Sequence, residues 1–293
     1  MEHLSFHFHV SVLNFTDVCS KERLALCTIG AVRLKDGAMA LFKNKDFSAR
    51  QFSDRVIMTP QVFGCEGLET FAENDAKMVF SGLSVGANAH GVMATVNHVK
   101  ITDPTHQNYD RLTELVLKNA HNIDQAIALI EDALKKDAYW WGNLIIADCS
   151  GCAVIEVRGQ EYHVTKSHDR LFRTNHQPLF GERASPDDLH CSAKRYVASE
   201  ARLPNVRTLS DLKDMLSAHD DNGTGICNHS VPLTTVYSYI LIWRDGALSL
   251  HIANGLPCEA PWDVLSPLFG PNYSEHNRAQ FLDAYPGLAA SSQ

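Results

Sequence analysis

The stretch Leu24-Ala25-Leu26-Cys27-Thr28-Ile29-Gly30-Ala31-Val32-Arg33-Leu34, then Lys35-Asp36-Gly37, then Ala38-Met39-Ala40-Leu41-Phe42, decides how this chain folds. Two apolar, strand-like runs flank a Lys-Asp-Gly turn, and an Asp-Gly pair supplies the positive-φ backbone that tight hairpins need. The reading is a β-hairpin with Cys27 near its beginning.

Other segments repeat that logic. Residues 79–85 and 92–96 read as a second strand pair around the polar loop Gly86-Ala87-Asn88-Ala89-His90-Gly91. Strands are expected again at residues 143–147 and 153–157 around Asp148-Cys149-Ser150-Gly151, and at 234–243 and 247–253 around Arg244-Asp245-Gly246. Before the first hairpin, Phe6, Phe8, Val10 and Val12 alternate with His7, His9 and Ser11 in the period of a half-buried strand. In the middle the period changes to that of helices. Leu112, Leu115 and Val116 fit one, and Ile123, Ile127, Ile130 and Leu134 fit the next, with Asn122 as cap. Two more helices are expected at 192–203 and 209–218. Hairpins at both ends with helices between them give an α+β chain with mainly antiparallel pairing. Residues 289–293, small and polar, are expected to fray.

The 293 residues are 45% hydrophobic and 20% charged, which suits a folded globular chain in a single domain. A formal charge of -8 without a dense basic stripe argues against nucleic acid or an anionic membrane as partner. No stretch reaches the roughly 18 apolar residues of a membrane span, and the first residues lack an export signal, so the expected location is cytoplasmic. Eight irregularly spaced cysteines then read as reduced thiols.

Cys27-Thr28, the hairpin turn and Lys43-Asn44-Lys45-Asp46-Phe47 together resemble the opening of the choloylglycine hydrolase and penicillin acyltransferase families of cysteine N-terminal-nucleophile (Ntn) enzymes. Asp46 stands nineteen positions after Cys27. The resemblance continues through Asn88-Ala89-His90-Gly91, Asn97, Thr174-Asn175-His176, Ser192-Ala193-Lys194-Arg195 and Asn254-Gly255. No piece is specific alone; their order and spacing carry the likeness, which is nearer the acyl-CoA:6-aminopenicillanic acid acyltransferase group because residues 1–26 precede the nucleophile.

The resemblance implies an αββα sandwich of the Ntn-hydrolase type, a pro-segment at 1–26 and a catalytic domain at 27–293. It implies autoproteolysis between Leu26 and Cys27, then attack of Cys27 on a linear, non-peptide amide through a thioester. A free thiol near pKa ~8.5 is only slightly ionised at neutral pH, but a chain beginning at Cys27 carries its own α-amine as base, and needs no histidine. Asn88 and Asn175 are the expected oxyanion donors, Asp46 the group orienting the amine, and Arg195 the residue holding Asp46 or the nucleophile region. Asn97 is expected to be structural. Lys43 stands where bile-salt hydrolases carry arginine and cannot reproduce its planar fork. Leu26 replaces the small glycine before the nucleophile of penicillin acyltransferase, which puts self-cleavage in question.

Lys43, Cys65 and Trp140 are the weaker candidates for substrate contact, Cys65 from a loop and Trp140 from the apolar run Tyr139-Trp140-Trp141. Cys149-Ser150-Gly151-Cys152 lacks a second such pair, and His7, His9, His90, His98 and His229 read as polar strand and loop residues, so neither metal nor cofactor is expected. The expected partners are a small-molecule amide, an amine or acyl-CoA co-substrate, and a second copy of the chain. Acyl transfer to an amine and an uncleaved, non-catalytic binding role are the two other functions this sequence leaves open.

Overall fold

The computed structural model describes residues 25–47, 52–69, 79–101, 103, 105–182, 192–220, 225–230 and 233–288, with side chains from Cys27 onward. The strand expected at residues 6–12, with His7 and His9, the rest of the pro-segment before residue 25, and residues 289–293 lie outside the described residues. In chain order the elements are β1 (Ala25–Arg33), β2 (Met39–Phe47), β3 (Val56–Met58), β4 (Val62–Leu68), β5 (Phe80–Asn88), β6 (Met93–Lys100), α1 (Asp110–Asn119) and α2 (Ile123–Leu134). There follow β7 (Tyr139–Asp148), β8 (Gly151–Gly159), β9 (Glu161–Ser167), β10 (Arg170–Arg173), α3 (Ser192–Arg202), α4 (Leu209–Leu216), β11 (Thr234–Arg244), β12 (Ala247–Asn254), β13 (Asp263–Leu265) and α5 (Glu275–Ala284).

The strands form two antiparallel sheets. One runs β10-β1-β2-β11-β12-β13 and the other β3-β4-β5-β6-β7-β8-β9. The sheets face one another through β1 and β2 against β6 and β7. On the far side of the six-stranded sheet, Val32, Ala40, Phe42 and Ile240 pack with Leu212, Met215 and Leu216 of α4. On the far side of the seven-stranded sheet, α1 lies over β5 and α2 over β7 and β8. The order helix, sheet, sheet, helix is the αββα sandwich, and each strand's alternation supplies one face to the middle and one to a helical layer.

The first hairpin forms as its sequence implies, with Gly37 at φ 89° in the turn. Its second strand, however, does not stop at Phe42 but continues to Phe47. Asn44 and Asp46, beyond the strand expected to end at Phe42, pair with Thr28 and Leu26 of β1 and with Ser238 and Thr235 of β11. A central strand can carry such a polar run because partners wait for it: Asn44 Nδ2 donates to the Leu216 and Ile226 carbonyls at 2.9 and 2.8 Å. Asn122 caps α2 through the Gln125 N–H, as expected. β3, β4, β9, β10, β13 and α5 carry too weak a period to be seen in the sequence. β4 is interrupted by Gly64 and Gly67, and α5 buries only Phe281.

Candidate active site

Cys27 sits on β1 opposite Lys45 of β2 and is 4% exposed. β10 pairs with β1 only from Ile29 to Val32, so the N–H of Cys27 has no strand partner on that side. It donates instead to Asn175 Oδ1 at 2.9 Å, a residue 148 positions away in the loop after β10. That loop is pinned by Asn143 Nδ2 on the Thr174 carbonyl at 2.9 Å and by the Thr174 hydroxyl on the Ser192 carbonyl at 3.0 Å. Asn175 Nδ2 donates to the His98 carbonyl at 2.5 Å, which fixes the amide's orientation.

Arg195, in the first turn of α3 and 2% exposed, closes the group. Its Nη1 donates to the Cys27 carbonyl at 2.5 Å and to Thr28 Oγ1 at 3.0 Å, while Nη2 donates to Asn175 Oδ1 at 2.7 Å. The guanidinium thus holds the Cys27 backbone and the acceptor of its nitrogen together. Asn175, expected from the sequence as an oxyanion donor, thus accepts from the Cys27 nitrogen through Oδ1, and its Nδ2 is engaged by the His98 carbonyl.

Asp46 Oδ1 accepts from Thr235 Oγ1 at 2.7 Å. Its other oxygen, Oδ2, is buried and has no partner among the described residues. Burial drives this carboxyl from its ordinary 3.8 up to about 6, against the pull of Arg195, Thr235 and Asn228. Burial also raises the Cys27 thiol, opposed by the charge of Lys43. With Leu26 still attached, the sulfur is a neutral thiol beside an amide nitrogen.

A cavity of about 40 Å³ opens beside this sulfur, lined on one side by Lys43, Asp46 and Phe47 and on the other by Asn97, Tyr109 and Asp110. Lys43, 3% exposed, donates its ammonium to the carbonyls of Val96 at 2.8 Å and Ser84 at 3.1 Å, and burial lowers its pKa. Asp110, at the start of α1, is raised by burial to about 6 despite Lys43. Its carboxyl occupies the space a side chain at residue 67 would need: a Cβ on Gly67 would meet it at 2.1 Å. Asn97 is 1% exposed, and neither its Nδ2 nor its Oδ1 has a partner among the described residues. A buried amide left unbonded in the wall of the same cavity as Cys27 has its donors free for a ligand.

Asn88, the other expected oxyanion donor, lies elsewhere. Val85 faces Thr95 across the β5–β6 ladder, so Asn88 is five residues beyond the level of Asn97, about 16 Å along the strand. Asn88 Nδ2 donates to the carbonyls of Leu117 at 3.1 Å and Ala120 at 2.7 Å, and Oδ1 accepts from the N–H groups of His90 and Val92. It ties the hairpin turn to the end of α1, and its hydrogen-bonding capacity is used up there. Parity explains the exchange: Asn97 shares the inward face with Met93 and Thr95, whereas Asn88 points to the helix side. Cys65 is on β4 rather than a loop, with its sulfur 3.1 Å from the Tyr285 hydroxyl, and burial raises it well above the ordinary thiol range. Trp140, the second residue of β7, packs edge-on against Tyr109 at 6.2 Å, one ring removed from the cavity. Thr235, Asn228 and Asp110 were not singled out by sequence; only the fold brings them to Asp46 and to Lys43.

The buried Cys27, with its backbone nitrogen on Asn175 Oδ1, is the centre of the candidate site. The family described as acyl-coenzyme A:6-aminopenicillanic acid acyl-transferase matches residues 32–221, and the chain belongs to it. The matched segment holds Lys43, Asp46, Asn97, Asn175 and Arg195 and begins just after Cys27. Among solved structures, the chain is similar to a mutant conjugated bile acid hydrolase from Clostridium perfringens, at 14% identity and TM-score 0.47 over 84% of this chain and 99% of that one. It is also similar to penicillin V acylase from Agrobacterium tumefaciens, at 11% identity and TM-score 0.47 over 82% of this chain and 85% of that one. No curated protein matches the chain at a significant level. Among the described residues no helix is long and apolar enough to cross a membrane.

Proposed function

We propose that the chain is a cysteine Ntn amidohydrolase that frees its own nucleophile by cleaving the Leu26-Cys27 bond. The observation that carries this reading is the buried acceptor Asn175 Oδ1, 2.9 Å from the Cys27 nitrogen and itself held by Arg195. An ordinary strand residue needs no such arrangement; a nitrogen that is to become an α-amine does.

In the first step Cys27 Sγ attacks the Leu26 carbonyl carbon. The C–N bond breaks, the Cys27 nitrogen takes up the thiol's proton, and Leu26 is left as a thioester that water hydrolyses to a carboxylate. In turnover the α-amine accepts the thiol proton and the thiolate attacks the substrate amide. The leaving amine departs with the proton from the α-ammonium, and water, deprotonated by the same amine, hydrolyses the thioester to a carboxylic acid. Asn97 Nδ2 supplies the hydrogen bond to the oxyanion in place of Asn88. Asp46 Oδ2, ionised above pH 6, receives the ammonium. An amine that outcompetes water at the thioester turns the same site into an acyltransferase, the activity for which the family is described.

The present cavity is far below the ~300–1,000 Å³ of ordinary ligand pockets. Ala25 and Leu26 pair with Phe47 and Asp46, two of the residues lining it, so departure of the segment before Cys27 is what admits substrate. Intact mass decides the matter. Purified protein beginning at Cys27, with Cys27→Ala remaining full length, is the expected result. A wild-type chain that stays uncleaved and inactive on amides overturns the reading in favour of a binding role, and amine-dependent product formation separates transfer from hydrolysis.

A further inference from the structure

Away from the cavity, four side chains of metal-ligating type converge where three chain segments meet. His219 lies just beyond α4, Cys227 and His229 precede β11, and Cys258 follows β12. Cys227 Sγ is 3.5 Å from His229 Nε2 and 3.5 Å from Cys258 Sγ, and His229 Nε2 is 3.2 Å from Cys258 Sγ. His219 completes the group: its ligand atom and those of His229 and Cys258 all lie within 4.8 Å of one another, and the two imidazole rings are 4.4 Å apart.

Zinc takes thiolate at about 2.3 Å and imidazole at about 2.0–2.1 Å, so the edges of its tetrahedron are about 3.8 Å between sulfurs and about 3.6 Å between sulfur and nitrogen. The Cys227, His229, Cys258 triangle has the dimensions of one face of that tetrahedron, and His219, within 4.8 Å of the ligand atoms of His229 and Cys258, is near enough to close the fourth corner on an ion. The outer partners agree. His219 Nδ1 engages the Asp220 carbonyl at 3.0 Å, and His229 Nδ1 faces Glu259 Oε1 at 3.9 Å, which leaves Nε2 of each ring for a metal. The backbone is fastened on both sides, by the Cys227 N–H on the Ala218 carbonyl at 3.0 Å and the Ser217 hydroxyl on the Pro257 carbonyl at 2.9 Å. A disulfide between Cys227 and Cys258 would use neither imidazole, and the placement of His229 against both sulfurs, with His219 beside Cys258, favours a metal.

We propose that His219, Cys227, His229 and Cys258 form a structural zinc site. Four protein ligands leave no open position, so the ion serves architecture rather than chemistry. Both thiols give their protons to solvent when the ion binds, and nothing is oxidised or reduced. The ion's reach extends to the nucleophile through Asn228, which sits between two ligands. Its N–H donates to Thr235 Oγ1 at 2.9 Å, and that hydroxyl donates to Asp46. The sequence hides the site because its ligands are spread over 219, 227, 229 and 258 without a paired-cysteine motif.

The test is independent of amide hydrolysis. The full chain is purified under reducing conditions without chelator, its metal content is measured by mass spectrometry, and the apoprotein is titrated with Zn²⁺ and with Co²⁺. The expected result is about one zinc per chain, retained in Cys27→Ala, and a Co²⁺ spectrum showing thiolate charge transfer and tetrahedral ligand-field bands. Cys258→Ser, at an exposed position that does not threaten folding, abolishes stoichiometric zinc, and His219→Ala weakens binding by about tenfold or more. Binding in wild type no better than in Cys258→Ser, or a metal-free wild type that holds a Cys227–Cys258 disulfide when purified without reductant, overturns the proposal.

Discussion

Replacing Thr235 with valine keeps the side chain's shape and removes the hydroxyl that serves Asp46 Oδ1 at 2.7 Å. In the wild type, the rise of this carboxyl from 3.8 to about 6 corresponds to about 3 kcal/mol against its charged form. The folded state therefore holds a proton that the unfolded state has already released. The stability this proton provides is full below pH 3.8 and is lost as pH rises through about 6. A hydrogen bond to a charged acceptor contributes about 1.5–3 kcal/mol, so its loss in Thr235→Val lifts the carboxyl by roughly one to two pH units, to about 7 to 8. The Asn228 N–H loses its acceptor too, a cost of about 1–3 kcal/mol that does not vary with pH. Carbon-13 NMR of the aspartate carboxyls, assigned with Asp46→Asn, reads the midpoint directly, and urea unfolding between pH 5 and 8.5 reads the linked stability. The reasoning fails if the Asp46 midpoint stays near 6 or falls in Thr235→Val.

Asn97→Leu separates catalysis from stability. Removing one oxyanion donor slows self-cleavage by about 10²–10³-fold, while replacing two orphaned polar atoms with apolar ones leaves the thermal midpoint unchanged or raised. Asn88→Ala does the reverse, since two carbonyls and two N–H groups lose their partner: denaturant unfolding shows a loss of at least about 2 kcal/mol, with the cleavage rate of the folded fraction unaltered. Lys45 and Asp54 form a buried pair at 3.0 Å, with Tyr239 and Tyr285 on the second Asp54 oxygen. Lys45→Met strands that carboxylate and costs about 3–5 kcal/mol in urea unfolding, a penalty that Lys45→Met with Asp54→Leu recovers in part.

The sequence shows the layers of this fold where strands are long and periodic. The Asp36-Gly37 and Asp245-Gly246 turns and the apolar stripes of α1 and α2 act locally, and local physics suffices to read them. β2 past Phe42 is different, because Lys43 to Asp46 become strand residues only when β1 and β11 flank them. The same limit divides the site. Cys27, Asp46, Asn175 and Arg195 are legible as an ordered set and meet in space. The choice between Asn88 and Asn97 depends on which face of a sheet each occupies, and on whether a helix carbonyl has already claimed its amide. Asn97 could have been found by parity with Met93 and Thr95; Thr235 and Asn228 could not, since nothing near them in the chain marks them.

Among the described residues β1 has one strand neighbour at its beginning: β2 flanks it throughout, whereas β10 joins at Ile29. A cut between Leu26 and Cys27 therefore falls where a single ladder holds the chain, and the register of the hairpin beyond it is secured by both neighbours. That makes activation separable from folding. A gene shortened so that its initiator methionine stands directly before Cys27 would leave aminopeptidase trimming, rather than self-cleavage, to expose the nucleophile.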